Sequence, residues 1–203
     1  MYMKKQNQGF TLIELLVVIG IVAILSVVVI LTLNPAQLLK QARDSNRISD
    51  LATIRSGLSL YLADVSSPTL ASSSFGYTHC YSTSGLPATS ACTSAAFATS
   101  TGLGANATSS LATSTAVNAL GWIPVHFDLI SSGAPMGSLP VDPVNNATNF
   151  YAYGAASTSL TFKVVASGME STKYGFGTVG TDVVSTDGGN STSSYEVGTN
   201  LAL

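Results

Sequence analysis

The chain opens with a long apolar run. Residues 9–33 are almost all apolar, and no charged side chain occurs from Leu15 to Leu39. About 20 apolar residues, at a rise of 1.5 Å each, are enough to cross the roughly 30 Å hydrocarbon core of a bilayer. The pattern therefore predicts a transmembrane helix over residues 10–33.

Residues 34–65 are predicted to continue the helix in amphipathic form. Asn34-Pro35 disfavours helical geometry and removes one backbone donor, so a kink or a locally melted turn is expected there. Apolar residues then recur at three- and four-residue steps until Val65. Charged residues occupy the other faces, where a solvated surface is the usual outcome; they are Arg43, Asp44, Arg47, Asp50 and Arg55.

The remaining sequence predicts a long connection or insert, followed by a small sheet. Residues 66–120 are rich in Ser, Thr and Ala and are interpreted as a connection or insert, whereas residues 121–203 form the predicted sheet domain. Aromatic and β-branched runs predict short antiparallel strands at Trp122 to Ile130, Asn149 to Tyr153 and Leu160 to Ala166. The alternation in the third run fits one face on a core, which the amphipathic helix can cover. The fold class is therefore α+β, with a long N-terminal helix packed on a small C-terminal antiparallel sheet.

Glu14 is the only charged residue in the apolar run. An ionised carboxylate in hydrocarbon costs several kcal/mol, so it needs a partner. Because the run holds no basic residue, the compensating positive charge is expected from lipid, from another chain or from a new amino terminus. Cleavage after Gly9 would place the α-amino group of Phe10 about one helical turn from Glu14, for pairing within a chain or between neighbouring chains.

The amino-terminal motif resembles the class III leader of type IV pilins and type II secretion pseudopilins. The residues that carry the resemblance are Lys4, Lys5, Gly9, Phe10, Thr11, Leu12, Ile13 and Glu14. The resemblance implies that a prepilin peptidase cleaves between Gly9 and Phe10 and N-methylates Phe10. Residues 1–9 would then be a cytoplasmic leader, with Lys4 and Lys5 following the positive-inside rule.

Two simpler interpretations of this segment are an ordinary secretory signal and a plain signal anchor. The apolar core is too long for a secretory signal and carries an acid near its start. It is also followed by Asn34, Pro35, Ala36 and Gln37 instead of a small-residue cleavage site. The apolar helix is therefore expected to be retained in the mature chain.

The resemblance also implies a function and a fold. The chain would be a structural subunit of a type IV pilus-like filament. It would be held in the inner membrane with its sheet domain, residues 121–203 (the head), outside. An assembly platform in that membrane would then bring it into an extracellular or periplasmic homopolymer, with Glu14 as an assembly residue. The alternatives are a type II secretion or competence pseudopilin in a short periplasmic filament, and a non-polymerising membrane-anchored binding module. Four further segments resemble C-terminal blocks of bacterial pilins, namely WIPV at 122–125, LPVDP at 139–143, FYAY at 150–153 and GMESTKY at 168–174.

Composition argues against two other classes of function. Charged residues make up 9% of the chain and the net charge is −2, so no basic surface for nucleic acid is indicated. His79 and His126 sit in unlike segments, and neither belongs to a spaced nucleophile and carboxylate signature. The chain is predicted not to be an enzyme and to need no organic cofactor.

Cys80 and Cys92 could form a disulfide. An exported domain lies in an oxidising environment, where an even pair of cysteines is often bridged. A loop of this length would contribute about 3 kcal/mol in the chain-entropy model. Free thiols are the alternative, and His79 beside Cys80 makes only a weak zinc signature.

An acidic, glycine-containing segment near the C terminus is a candidate calcium site. Asp182, Asp187 and Asn190, with Glu196 nearby, offer the hard oxygen ligands that Ca²⁺ prefers. Major pseudopilins are similar in having a calcium loop near the C terminus. The spacing departs from the EF-hand, so a solvated acidic loop is the alternative.

Overall fold

The computed structural model describes residues 9–70, 79–82, 108–111, 114–156, 159–175, 177 and 182–203. Lys4, Lys5 and Cys92 lie outside these residues. The chain divides into two compact units, Met1–Leu39 and Lys40–Leu203, which are described separately below.

Two helices follow each other at the amino terminus. Helix α1 spans Leu12–Leu33, and helix α2 spans Pro35–Asp64. The predicted break is present at Asn34, whose φ of 42° lies in the left-handed region that ends many helices. Pro35 then starts α2 at the first helical position, where its missing N–H removes no intrahelical bond.

The sheet contains five described strands. They are β1 (His79–Ser82), β2 (Thr108–Leu111), β3 (Tyr151–Ala156), β4 (Thr161–Ser167) and β5 (Ser194–Gly198), arranged in the order β2-β1-β3-β4-β5. The pairs β1 with β3, β3 with β4 and β4 with β5 are antiparallel. The α+β prediction is confirmed, and the parallel pair of β1 with β2 is an addition from the segment that was interpreted as a connection.

The core of the second unit lies between α2 and one face of the sheet. Leu51, Ile54, Leu58 and Tyr61 of the helix are buried in one cluster with aromatic and aliphatic residues of β3 and β4. Their three- and four-residue spacing places them on one side of the helix, as the periodicity predicted. The strand residues of the cluster are Tyr151, Tyr153, Ala155, Phe162, Val164 and Ala166.

The strand predicted over Trp122 to Ile130 is wrong. This segment consists of bends, an isolated bridge and a short 3₁₀ helix at Phe127–Leu129. Residues 122–125 are all buried, so the side chains do not alternate between two faces. Pro124 also cannot donate to a ladder. Trp122 is instead held by its indole N–H, which donates to the carbonyl of Pro140 at 3.0 Å.

Strand β4 is buried on both faces, whereas its alternation predicted one face on a core. Phe162 and Val164 face the helix-side cluster, but Lys163 and Val165 are also completely buried. The Lys163 ammonium donates to the backbone oxygens of Leu201 and Leu203, so the C-terminal segment covers the second face around this residue.

Candidate functional site

The amino-terminal end of α1 is a capping box formed by Thr11 and Glu14. The Thr11 hydroxyl accepts from the Glu14 N–H at 3.3 Å, and the Glu14 carboxylate accepts from the Thr11 N–H at 2.9 Å. The Thr11 hydroxyl also donates to the same carboxylate at 2.7 Å. These bonds satisfy two amide donors that the first turn of a helix otherwise leaves without a partner.

Glu14 therefore has a polar partner within its own chain, which the sequence interpretation missed. The expected partners of Glu14 were positive charges, and the apolar run contains none. The signal was nevertheless present, because Thr followed three residues later by Glu is the pattern of a capping box. The pairing of Glu14 with the amino group of Phe10 stays a prediction.

The apolar surface of α1 has no cover within its own unit. None of the described α1 side chains is buried, and the stretch Leu12–Ile30 is long and apolar enough to cross a membrane. Phe10 is 85% exposed, and a shallow apolar cleft runs beside it along Ile13, Glu14, Val17 and Val18. Such a surface requires lipid or other protein around it, because contiguous exposed apolar patches of this extent are rare in soluble monomers.

The predicted cleavage point precedes the helix. Gly9 and Phe10 lie in exposed, non-helical chain before Thr11, and no atom lies within 4 Å of the position that a Gly9 side chain would take. Cleavage after Gly9 and methylation of Phe10 stay predictions.

A buried cluster of charges joins α2 to two of the C-terminal blocks. Arg47 is completely buried and forms ion pairs with Asp44 at 2.6 Å, Asp142 at 2.6 Å and Glu170 at 2.9 Å. Asp142 belongs to the LPVDP block and Glu170 to the GMESTKY block. The solvated face predicted for the stem charges is therefore wrong at Asp44 and Arg47, because acids from distant segments neutralise the guanidinium and allow its burial.

Further hydrogen bonds provide partners for the carboxylates of this cluster. The Asp44 carboxylate accepts from the backbone N–H groups of Glu170 and Ser171, and Arg43 forms a two-bond contact with Glu170 at 2.7 and 2.8 Å. The hydrogen bonds from Arg43, with those from Arg47, hold the pKa of the Glu170 carboxyl below its usual value. The two C-terminal blocks are thus fixed to the first half of α2 through Arg43, Asp44 and Arg47.

The candidate calcium ligands fall into two places. The Asp182 carboxylate accepts from the N–H groups of Gly177, Val184 and Ser185 and from the Ser185 hydroxyl. Burial acts to raise the pKa of Asp182, but these hydrogen bonds outweigh it and lower the pKa. Its oxygens therefore already serve backbone donors of its own loop.

Asp187, Asn190 and Glu196 belong to the second place, which contains a lysine. Asp187 accepts from the N–H groups of Gly189 and Glu196, and burial raises its pKa. Asn190 and Glu196 both contact the ammonium of Lys163, at 3.1 and 2.5 Å. Sequence reasoning missed Lys163 because the alternation in β4 placed it on a solvent face. Among the described residues no group of three or more His, Cys, Asp or Glu is placed to hold a metal ion, and calcium binding stays a prediction.

Only one of the two cysteines of the predicted disulfide lies among the described residues. Cys80 belongs to β1, and its backbone pairs with Gly154 of β3 and Ser109 of β2. Cys92 lies outside the described residues. The disulfide stays a prediction.

Comparison with protein families identifies the class of the amino-terminal segment. The family model of the prokaryotic N-terminal methylation motif matches residues 4–30. The chain carries this motif, which is the class III signal of type IV pilins and pseudopilins. The matched segment contains Gly9, Phe10, the Thr11–Glu14 capping box and most of α1. Comparison with curated proteins gave no match, and neither did comparison with solved structures.

The motif has direct implications for the precursor. It implies processing by a prepilin peptidase and a pilin-type structural protein in general. The exposed apolar helix and the motif together fit a precursor that is anchored in the inner membrane.

Proposed function

We propose that this chain is a structural subunit of a type IV pilus-like filament. The observation that carries the proposal is the position of the methylation motif at the start of a helix whose described side chains are all exposed. Before assembly, lipid surrounds this helix; in the filament, the helices of other subunits replace the lipid. Apolar contact is maintained in both states, so the transfer does not expose the helix to water.

The growth of a filament follows from the kind of contact between subunits. One surface of a subunit packs against a different surface of the next, and such contacts extend without closing. The shallow cleft beside Phe10 and Glu14 lies at the end of the helix that processing frees. Glu14 then sets the register between subunits. Its carboxylate is buried among neighbouring helices, and its charge is fully compensated only where the Phe10 amino group of another subunit lies beside it.

The capping box fits this role. Thr11 compensates part of the Glu14 carboxylate while the subunit is alone, which lowers the cost of holding an acid at the edge of the apolar segment. Capping-box bonds to the first turn do not remove the negative charge. The carboxylate therefore retains its attraction for a positively charged amino group.

The decisive experiment blocks processing in the organism that makes the protein. Gly9→Ala should leave the chain in the membrane at its precursor length and remove it from sheared surface fractions. The matched control is Gly20→Ala within α1, where a side chain also meets no atom within 4 Å, and this variant should be processed and incorporated. Filaments that contain the uncleaved Gly9→Ala chain would contradict the proposal.

A type II secretion or competence pseudopilin is the second candidate, since such proteins carry the same signal. It would form a short periplasmic filament and would not be recovered from sheared surface filaments. A membrane-anchored binding module is the candidate from another class. It would remain active in the Gly9→Ala variant, because it needs the anchor but no processing.

A further inference from the structure

A buried lysine, an acid and an amide meet on the second face of the sheet. The Nζ atom of Lys163 lies 2.5 Å from Oε1 of Glu196 and 3.1 Å from Oδ1 of Asn190. The Lys163 and Glu196 side chains are both fully buried. Because a carbonyl bond is about 1.23 Å long, the Asn190 side-chain carbon lies within about 4.3 Å of Nζ.

The surrounding chain fixes these groups. The Lys163 ammonium also donates to the backbone oxygens of Leu201 and Leu203. Oε2 of Glu196 accepts from the N–H of Ser191, the residue after Asn190. A side chain at Gly189 would collide with the Glu196 carboxylate, so glycine is required for this approach. Held in this way, a nucleophile and a carbonyl react with the advantage of an intramolecular step.

We propose that Lys163 and Asn190 form an intramolecular isopeptide bond, with Glu196 as the catalytic acid and base. Glu196 first takes a proton from the Lys163 ammonium across the 2.5 Å contact, which leaves a neutral amine and a neutral carboxylic acid. The Nζ lone pair then attacks the side-chain carbonyl carbon of Asn190. Glu196 donates its proton to the carbonyl oxygen, and a tetrahedral intermediate forms.

Collapse of the tetrahedral intermediate forms the new amide and releases ammonium. The carbonyl double bond forms again, the bond between the side-chain carbon and Nδ2 breaks, and the nitrogen leaves as ammonium with protons from Nζ and from the oxygen, relayed by Glu196. The sum is one lysine ammonium and one asparagine amide giving one secondary amide and one ammonium ion. Glu196 ends as a carboxylate, and no oxidant, reductant or further reactant is consumed.

The bond would join the middle of β4 to the loop that precedes β5. Asn190 of this loop already contacts the buried Lys163 of β4, so a covalent bond at this contact would prevent the loop from separating from the strand. The bond depends on the head alone and is independent of the filament function proposed above.

Mass spectrometry of the full chain tests the proposal. The chain is purified from membranes in detergent, denatured, and its intact mass is compared with the mass calculated for the same processed sequence. The expected result is a mass lower by one ammonia, together with a proteolytic peptide pair linked through Lys163 and Asn190. A chain at its full calculated mass would overturn the proposal.

Four variants separate the roles of the residues. Asn190→Ala and Glu196→Gln should show their full calculated masses, whereas the control Asn200→Ala should keep the ammonia loss. If Asn190→Ala still loses ammonia, Asn190 is not the electrophile. If Glu196→Gln still loses ammonia, Glu196 is not the catalytic acid and base. Asn190→Asp preserves the shape of the site and should lose one water instead of ammonia; its full calculated mass would count against the proposal. Fluorescence of the buried Trp122 reports whether each variant is folded.

Discussion

Arg47 donates from Nε to the Asp142 carboxylate at 2.6 Å, across 95 positions of the chain, and neither side chain is exposed. A second bond joins Arg47 Nη2 to the other carboxylate oxygen at 3.1 Å. Planar two-bond contacts of this kind are strong and specific in direction. The contact fixes the LPVDP turn on α2, on a side of the helix that also holds Asp44.

Removing the acid from this contact should strongly destabilise the head. Asp142→Ala leaves Arg47 with Asp44 and Glu170 but without its two-bond partner, and it removes the acceptor for the N–H groups of Val144 and Asn145. We expect a loss of about 3–5 kcal/mol in the free energy of unfolding, as when one partner of a buried ion pair is removed. Urea unfolding of the full chain in detergent, followed by Trp122 fluorescence, measures it.

Asp128 provides the matched control for this experiment. Its side chain is 48% exposed and contacts only His126 in the bonds described for it. Asp128→Ala should change the free energy of unfolding by less than about 0.5 kcal/mol, which is the usual range for surface substitutions. Equal midpoints for Asp142→Ala and Asp128→Ala would show that the buried pair does not stabilise the head.

Glu170 should make the stability of the head dependent on pH. Its pKa is lowered in the folded state by Arg43 and Arg47, so its stabilising contribution is complete above its ordinary pKa. That contribution is lost as the pH falls through the folded-state value. Asp50 and Asp187, whose pKa values are raised mainly by burial, act in the opposite direction.

The comparison of Glu170→Gln with the unmodified chain isolates this term. The difference in unfolding free energy should be largest at about pH 7 and should shrink as the pH falls below the ordinary pKa of a glutamate, once the native carboxyl becomes protonated as well. Urea unfolding at a series of pH values measures the difference. A difference that is constant over this range would exclude Glu170 as the titrating group.

Local patterns predicted the two helices and strands β3 and β4, because the causes of these elements lie within a few residues. The apolar run, the Asn34-Pro35 break and the three- and four-residue spacing of Leu51, Ile54 and Leu58 were sufficient. Strand β5 was missed because Glu196 lies at its centre, and an acid within a strand has low β-propensity. The burial of this acid is explained by its ion pair with Lys163, which lies 33 residues earlier in the sequence.

The same distinction applies to the candidate site. The motif around Gly9, Phe10 and Glu14 is local, so the sequence alone indicated it. The buried state of Arg47 depends on Asp142 and Glu170, which lie 95 and 123 positions away. A charge on a helix is ordinarily solvated, and only the tertiary contacts decide otherwise.

Calcium and Lys163 should compete for the same oxygen. In the unmodified chain Lys163 holds Asn190 Oδ1, as a hydrogen-bonded ammonium before the proposed bond forms and as the bonded amide afterwards, so this oxygen is not free for a Ca²⁺ ion. We expect calcium to raise the melting temperature of Lys163→Met more than that of the unmodified chain, because a ligand that binds the folded state stabilises it by mass action. Thermal unfolding in calcium and in chelator measures both shifts. An equal calcium response in the two proteins would show that the ion does not use Asn190 in place of the lysine.

Glu14 and Thr11 should have separable effects on assembly. Glu14→Ala removes both the negative charge and the capping interaction, whereas Thr11→Val removes the hydroxyl of the cap and retains the acid. Loss of the cap alone costs about 1 kcal/mol of helix stability and should change incorporation little. Loss of the acid removes the group that pairs with the Phe10 amino terminus of another subunit, and we expect incorporation into filaments to fall by more than about tenfold, equivalent to at least about 1.4 kcal/mol.

Both variants should insert into the membrane, because the apolar stretch Leu12–Ile30 is otherwise unchanged. The measurement is the ratio of each variant in sheared filaments to the same variant in membranes. Comparable loss in both variants would assign the role of Glu14 to helix capping, and normal incorporation of Glu14→Ala would exclude it as the register residue.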